Sequence, residues 1–295
     1  LNYYCLCTRL GINLFIVLLS MAVITLTTDW GYKDPAVALI KGAIYNELPK
    51  AAIVDISHEI DPFDMEEAAY ILKNSYKAFP KESIHIIGID NDTRLHTRYL
   101  AAMIQGHYFL CSDNGIISLI TEDYHPVKKF EINIRHPNDL SLFPEKELLV
   151  KVACHLLRGG KIELIGRRIE KLKSYRKLNP KIKENGLITG NIIYIDHFGN
   201  AVTNITRALF DKIGKKHTFE IKIRQHIFKQ INNSYSGVVK NIKNESFYHG
   251  DGLALFNSAN HLEIAIYKSN PRTVGDACSL LGLRRGDSIY IQFNV

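Results

Sequence analysis

The sequence predicts a layered α/β domain followed by a smaller, mostly β domain, a small barrel or sandwich. Three observations carry this. From Met21 to Gly160 short apolar runs alternate with helix-period segments, the form taken by a sheet covered with helices. Beyond Gly186 strand-type runs are separated by Gly, Asn and Asp clusters. Between the two lies a basic stretch poor in large apolar residues. At 295 residues, 46% hydrophobic and 23% charged, the chain is long enough for two domains that each bury a core. That composition excludes a disordered tail, a fibre and a small stapled module.

The expected organisation is an upstream extension over 1–20, an N-terminal α/β domain over 21–160, a basic strap over 161–185 and a C-terminal β-barrel domain over 186–295. The apolar run from Leu10 resembles a signal core behind Arg9. No small-residue cleavage site follows it, and Ala22 to Thr28 is needed as the first core strand, so Met21 reads as the functional start. Next come a helix from Lys33 to Asn46 with Ala36, Leu39, Ile40 and Ala43 on one face, and the strand AAIVDIS. The segment DPFDMEEAAYILKNSYKAFP is a helix with acidic residues at its start, where the helix dipole favours them, and it stops at Pro80. IHIIGID is a buried strand. RYLAAMI, HYFLCSD and VKKFEINI extend the sheet, with a turn at Gly106 and His107, and a helix from Lys146 to Arg158 ends at Gly159 and Gly160. In the second domain strands fall in Gly186 to Ile205, Thr218 to Phe228, Gly252 to Tyr267 and Asp287 to Phe293, with one helix at Thr206 to Ile213.

The net charge of +7 is local. Between Lys151 and Asn185 there are 11 Lys/Arg against 3 Asp/Glu, a surplus of 8, which leaves the rest of the chain near −1. Apart from Tyr175 no aromatic residue interleaves with these charges, so the stretch reads as a solvated strap, and neither nucleic acid nor membrane is expected as a partner. The five cysteines, Cys5, Cys7, Cys111, Cys154 and Cys278, match no zinc or redox spacing, which points to a reducing compartment, the cytoplasm.

The chemical signal lies at strand ends. Asp29, Asp55 and Asp90 each close an apolar strand, and parallel strands would gather the three carboxylates at one carboxyl edge, where open α/β sheets bind ligands. Any one of them alone reads first as a turn former or helix cap, and it is the three together that point to a site. The chain carries no G-x-G-x-x-G, P-loop, H-E-x-x-H or G-x-S-x-G motif, so nothing supports a dinucleotide fingerprint, a phosphate cradle, a zinc centre or a serine nucleophile. The ligand is expected to be uncharged or cationic, since carboxylates hold ribose hydroxyls and complement positive centres.

The blocks TTDWGYKDPAVALIKGAI, PKAAIVDISHEIDPFDMEEAAYIL, FPKESIHIIGID, GHYFLCSDNGIISLI, GNIIYIDHFGNAVTNI and LFNSANHLEIA resemble the S-adenosyl-L-methionine (SAM) hydroxide adenosyltransferases, in the superfamily of the fluorinase and chlorinase. The resemblance implies SAM hydrolysis by water attack on ribose C5′, giving adenosine and L-methionine, with SAM as substrate and no cofactor or metal. It implies a homotrimer with SAM where one subunit's N-domain meets a neighbour's C-domain. By the same resemblance Asp29 and Trp30 fall at the ribose, Asp90 and Arg98 at the catalytic centre, Asn200 at the nucleoside, and Asn257, Ser258, Glu263 and Ala265 around the adenine. Taken alone, Gly199 and Asn200 fit a turn between strands, and Glu263 an exposed strand position.

The water site departs from the family. The loop after Asp90 reads DNDTRLHTR, without the family's Pro and Gly, so Arg98 and Arg94 are both candidates for its Arg. The family's F-H-G-R-D block is Phe143-Pro144-Glu145-Lys146-Glu147, with Pro144 in place of His. His96 and His107 are candidates to substitute, but each reads first as an ordinary, satisfied loop or turn histidine. Losing a proton-transfer group typically lowers a rate by about 10²–10⁴. The sequence therefore predicts a diverged hydrolase. The alternatives are an enzyme of the same fold with another nucleophile or adenosine-bearing substrate, and a SAM or adenosine binder without turnover.

Overall fold

A computed structural model of the chain describes residues 22–90, 97–121, 128–134, 143–183, 185–214 and 217–294. The extension over 1–20, Met21, Arg94 and His96 lie outside the described residues. Internal contacts divide the chain into two units: Leu1–Glu59, Ser75–Asp113 and Thr121–Leu172 form the first, and Ile60–Asn74, Asn114–Ile120 and Lys173–Val295 the second.

The first unit is built on a seven-stranded sheet. Its strands are β1 (Ile24–Thr28), β2 (Ile53–Ser57), β3 (Ile84–Gly88), β4 (Tyr99–Ile104), β5 (His107–Ser112), β6 (Lys128–Ile132) and β7 (Gly166–Arg168), in the order β2-β1-β3-β5-β4-β6-β7. β2, β1, β3 and β5 run parallel, whereas β4, β6 and β7 pair antiparallel. Alternation along the strands sends Ile24, Leu26, Ile84, Ile86 and Leu110 to one face. There they pack with Ile40 and Ile44 of α1 (Ala36–Glu47) and Val150, Val152 and Ala153 of the helix Val150–Leu157. The opposite face is buried too, and it carries a polar pair: His85 Nδ1 meets the Thr25 hydroxyl at 2.7 Å and His85 Nε2 meets His107 Nδ1 at 3.2 Å. Burial holds both imidazoles well below their ordinary pKa.

Two local expectations are corrected here. α1 buries Val37, Ile40 and Ile44, while Leu39, expected inward, is 46% exposed, because the stripe that meets the sheet is set by Val37 and its neighbours one turn apart. The β4–β5 turn falls at Gln105 and Gly106, both at positive φ (50° and 83°), one residue earlier than expected; His107 is already in the strand.

The second unit holds α2 (Met65–Ser75) up to Asn74 and α3 (Ile116–Ile120), together with an antiparallel sheet of eight strands. These are β8 (Lys181–Lys183), β9 (Leu187–Ile195), β10 (Ala201–Thr206), β11 (Phe219–Ile223), β12 (His226–Phe228), β13 (Gly252–Phe256), β14 (His261–Ile266) and β15 (Ser288–Phe293). The order is β12-β11-β15-β9-β10-β14-β13, with β8 added to β9. Just past β12, Asn232 bridges to Leu255 of β13, which brings the two ends of the sheet together into a nearly closed barrel. Its interior is apolar, with Ile188, Ile192, Ile221, Ile264, Ile289, Ile291 and Phe293 all buried. In the first unit α4 is Val150–Leu157; here the helices are α5 (Arg207–Gly214) and the short α6 (Ala277–Leu280). α6 has no counterpart in the sequence reading. A single turn is too short for periodicity, and it stands on a capping box between Asp276 and Ser279.

Candidate active site

Three adjacent parallel strands, β1, β3 and β5, end at Asp29, Asp90 and Asp113. The structure joins the first two directly: the Asp90 N–H donates to Asp29 Oδ2 at 3.3 Å, and the Asp29 N–H reaches the Gly88 carbonyl at 3.3 Å. Asp90 is held at φ 45°, in the left-handed region that aspartate enters more readily than most side-chain-bearing residues. Trp30 folds back over β3, so that a Cβ at Gly88 would stand 2.4 Å from its ring, and its ring centroid lies 5.1 Å from that of Phe143.

Asp55, expected as the third member of this edge, has another role. β2 continues to Ser57 and sets Asp55 opposite Leu26, short of the strand end. Its carboxylate takes Lys41 at 2.5 Å and Tyr32 at 3.2 Å, and it faces His58 Nε2 at 3.2 Å. Burial works against the charge, but the bonds from Lys41 and His58 outweigh it and hold the carboxyl below its usual range. His58, itself buried, meets the Thr28 hydroxyl at 2.7 Å, and its carbonyl accepts the Gly31 N–H at 2.8 Å, so this network anchors the loop that carries Asp29 and Trp30. The strand-end carboxylate that sequence reasoning missed is Asp113, which is ion-paired with Arg98 and whose N–H donates to the Arg98 carbonyl at 2.8 Å. The structure thus gives Arg98 a partner other than the Asp29–Asp90 pair.

Pro144 caps a wide π turn, Glu145–Leu149, that runs into α4. Within that turn Glu145 is 3% exposed, and its Oε1 has no hydrogen-bond partner. Burial pushes its carboxyl up to about 7; a hydrogen bond from its own backbone opposes this, and the charge of Asp29 adds to it. Tyr99 on β4 feels the same carboxyl, and its hydroxyl is likewise buried without a partner.

The second unit gathers a different set. Asn257 donates through Nδ2 to the Tyr70 hydroxyl at 3.2 Å and to Glu263 Oε2 at 3.0 Å, while its Oδ1 accepts the N–H groups of Ala259 and His261. Glu263 is buried on β14, not exposed, and its Oε1 accepts the Tyr235 hydroxyl at 2.7 Å. Burial raises its pKa, and the bonds from Tyr235 and Asn257 hold back part of the shift. Tyr70 stacks 4.9 Å from Tyr194, and burial lifts its phenol to about 12. Asn200 closes a tight loop on Asp196, to which it donates through its backbone N–H at 2.8 Å and Nδ2 at 2.9 Å; Gly199 turns the loop at φ 75°. Ser258 is exposed in the turn beside Asn257. The Ala265 methyl is buried among Leu253, Leu255 and Tyr267. Asn257 and Glu263 are therefore in one hydrogen-bonded cluster, and Tyr70, Tyr194 and Tyr235 are its unforeseen members. Asp61, Asp64 and Glu67 bring carboxylate oxygens within 4.8 Å of one another, but Asp64 caps α2 and pairs with Arg285, and Glu67 accepts the Asp61 N–H.

Models of the SAM hydroxide adenosyltransferase N-terminal and C-terminal domains match residues 24–166 and 190–290. The chain belongs to the SAM hydroxide adenosyltransferase family. Among its relatives is the (R)-S-adenosyl-L-methionine hydrolase of Methanocaldococcus jannaschii, 29% identical over 257 residues that cover 84% of this chain and 89% of that protein. The fluorinase of Nocardia brasiliensis is 24% identical over 232 residues, covering 68% of this chain and 77% of that one. The crystal structure of an uncharacterised conserved protein from Thermotoga maritima superimposes with a TM-score of 0.79 at 27% identity, covering 92% of this chain and all of the other (100%). Among the described residues no helix is long and apolar enough to cross a membrane.

Proposed function

We propose that this member of the family hydrolyses SAM: water attacks ribose C5′, the C5′–S bond breaks, and adenosine and L-methionine leave. The observation that carries the reading is the Asp29–Asp90 pair, joined at the carboxyl edge of parallel strands in a chain of this family. In this reading Asp29 accepts the ribose hydroxyls, and Trp30, seated against Phe143, walls the sugar. Asp90 holds the attacking water, and Arg98, turned by Asp113, adds positive charge beside it. The polar cluster of the second unit, with Asn200, Asn257, Ser258, Glu263 and the backbone at Ala265, takes the base. Sulfonium is a good leaving group, so alignment and exclusion of bulk water carry much of the rate.

Completing the nucleoside site with a neighbour's C-domain makes the working unit a homotrimer in the cytoplasm, with SAM as substrate and no further cofactor. Dilution below the assembly constant should then abolish ligand binding together with the oligomer. A monomer in light scattering that still binds SAM at full stoichiometry would contradict the shared site.

The decisive experiment incubates the purified protein with SAM and follows adenosine and methionine by chromatography, with chloride and fluoride arms to register a halogenated nucleoside. Release of both products in a one-to-one ratio supports the hydrolase. Pro144, at the position of the family's imidazole, favours a second reading: another nucleophile or adenosine-bearing substrate at the same pocket, or nucleoside binding without turnover. Binding of adenosine with no methionine released would support that reading instead.

A further inference from the structure

A hydrolase that lacks the family's imidazole still has to place the proton that water loses when it attacks C5′. Glu145 occupies the second position after Phe143, in the block where the family's imidazole is replaced. The Phe143–Trp30 ring contact ties the segment before Glu145 to the segment just after Asp29. Glu145 itself is buried, its Oε1 unpartnered, close enough to Asp29 for the two charges to interact. None of the described groups donates a hydrogen bond to that oxygen, which leaves it open to a donor the protein does not supply.

We infer that Glu145 is the proton acceptor for the attacking water, doing from the turn before α4 what an imidazole does elsewhere in the family. The inference rests on the hydrolase reading above. In the step the water oxygen forms its bond to C5′, the C5′–S electron pair moves onto sulfur to give the neutral thioether of methionine, and the water's proton passes to the Glu145 carboxylate. One positive and one negative charge vanish together, so a site that is poor at holding separated charge favours the products. Product release and return of the proton to solvent reset Glu145.

The surroundings suit this task. Among the described residues, the titratable groups whose fields reach Glu145 are Asp29 from the end of β1 and Tyr99 from β4. Lys146 and Glu147 follow it on the same turn. From α1, β3 and β5 the cluster shared with Leu149 presents Ile40, Ile44, Ile84, Ile86 and Leu110, which bear no charge; Tyr108, also against that cluster, responds instead to Glu82, Lys128 and Glu163. With an apolar wall and one like charge beside it, the carboxyl is poised near neutrality, where a general base is most effective.

The test is the pH dependence of turnover in the full chain, read by adenosine release, with Glu145→Gln and Glu145→Asp beside the unaltered protein. The unaltered protein should gain kcat as pH rises and level off above about 7. Glu145→Gln should lose about 10²-fold or more in kcat together with that rising limb, while binding adenosine in calorimetry within threefold of the unaltered protein. Glu145→Asp should keep the limb at a lower plateau, and it decides the matter with the unaltered protein's own profile if Glu145→Gln does not fold. Turnover with a profile that Glu145→Gln leaves unchanged, or a flat profile in the unaltered protein, overturns the role of Glu145 alone. Adenosine bound with no SAM turned over at any pH overturns the hydrolase reading, and the base with it.

Discussion

The two candidate polar clusters, one in each unit, differ in how far the protein satisfies them. In the second, Asn257 spends both amide hydrogens and its carbonyl on four partners, both oxygens of Glu263 are bonded, and Asn200 is tied to Asp196. In the first, Glu145 Oε1 and the Tyr99 hydroxyl are buried without partners, and Asp90 stands at a left-handed φ. Buried polar atoms are nearly always paired, so unmet capacity marks the place where something other than the protein is to be satisfied. A saturated cluster has its geometry set in advance and is fitted to recognise a ligand by shape and by exchange of a few bonds. An edge with raised pKa and unused acceptors is fitted to do chemistry. On the proposed reading, recognition falls mainly to the second unit and reaction to the first.

Breaking the first half should cost the most. If Asp29 holds the ribose as proposed, Asp29→Ala removes charge-assisted bonds worth about 1.5–3 kcal/mol, so SAM or adenosine should bind at least tenfold more weakly in calorimetry, with the fold intact. Asp90→Ala should lower kcat as much as it weakens binding. A dissociation constant unmoved by Asp29→Ala removes that residue from the site. In the second half the expected loss is of stability first. Glu263→Ala takes the acceptor from the exposed Tyr235 hydroxyl and from one donor of the half-buried Asn257, both of which can turn to water, so the loss is that of the net hydrogen bonds, about 1 kcal/mol each, read as a lowered midpoint in urea unfolding. Glu263→Gln, which keeps the shape and one acceptor, should lose less; equal losses would mean that the cluster is not what holds β14 in place.

How much of this was open to the sequence follows from how local each signal is. β1 and β3 lie in short β-branched, isoleucine-rich runs, ITLTTD and IHIIGID, that finish in Asp, so the strands and the candidate carboxylates Asp29 and Asp90 are legible together. Asp113 was not, because its place at the same edge depends on β5 running parallel to β3 after a hairpin with β4, a matter of topology that no motif records. Asp55 misled for the converse reason: it closes the apolar run AAIVD, but the strand AAIVDIS goes on past it to Ser57. Glu145 sits in Pro-Glu-Lys-Glu, which reads as a solvated helix start. The π turn, closed by the Val150 N–H on the Glu145 carbonyl, departs from the 3.6-residue period on which such a reading rests. Tyr70 and Tyr235 reach Asn257 and Glu263 from distant parts of the chain, and only folding brings them together.

Acid should separate the halves next. His85 and His107 are buried on the first sheet with pKa values well below the ordinary 6.5. As pH falls through 6.5 the unfolded chain takes up protons that the folded imidazoles refuse, so the stability of the first unit declines with falling pH. Glu145 works in the other direction. Its folded value near 7 lies above the ordinary 4.5, so between those two pH values the folded state holds the extra proton and gains stability as pH falls. The unaltered protein should therefore show a shallow slope of melting temperature from pH 6.5 to 4.5, and Glu145→Gln should uncover a steeper one. His107→Gln in that background should flatten it again. An identical slope with and without Glu145 would mean that its carboxyl is not perturbed, and the contrast between the units would weaken.

The smallest effect is expected at Arg98, which tests where the reactive half ends. Its side chain is 40% exposed, and its ion pair is with Asp113, whose own side chain is 6% exposed. A charge so open to solvent is screened, and its influence on a neighbouring reaction is of the order of an exposed ion pair, about 1 kcal/mol or less, equivalent to about fivefold in rate. Arg98→Ala should accordingly lower kcat by about fivefold or less, leave the adenosine dissociation constant in place, and keep the rising pH limb assigned to Glu145. Arg94→Ala, the other candidate for the family's Arg, should change none of the three. Asp113→Asn should follow Arg98→Ala in direction, because its part is to turn the guanidinium. A loss at Arg98 as deep as that at Glu145, with the limb gone, would move the proton-handling centre from the Asp29–Glu145 side of the edge to the Asp113 side. The reactive half would then have to be redrawn around β5.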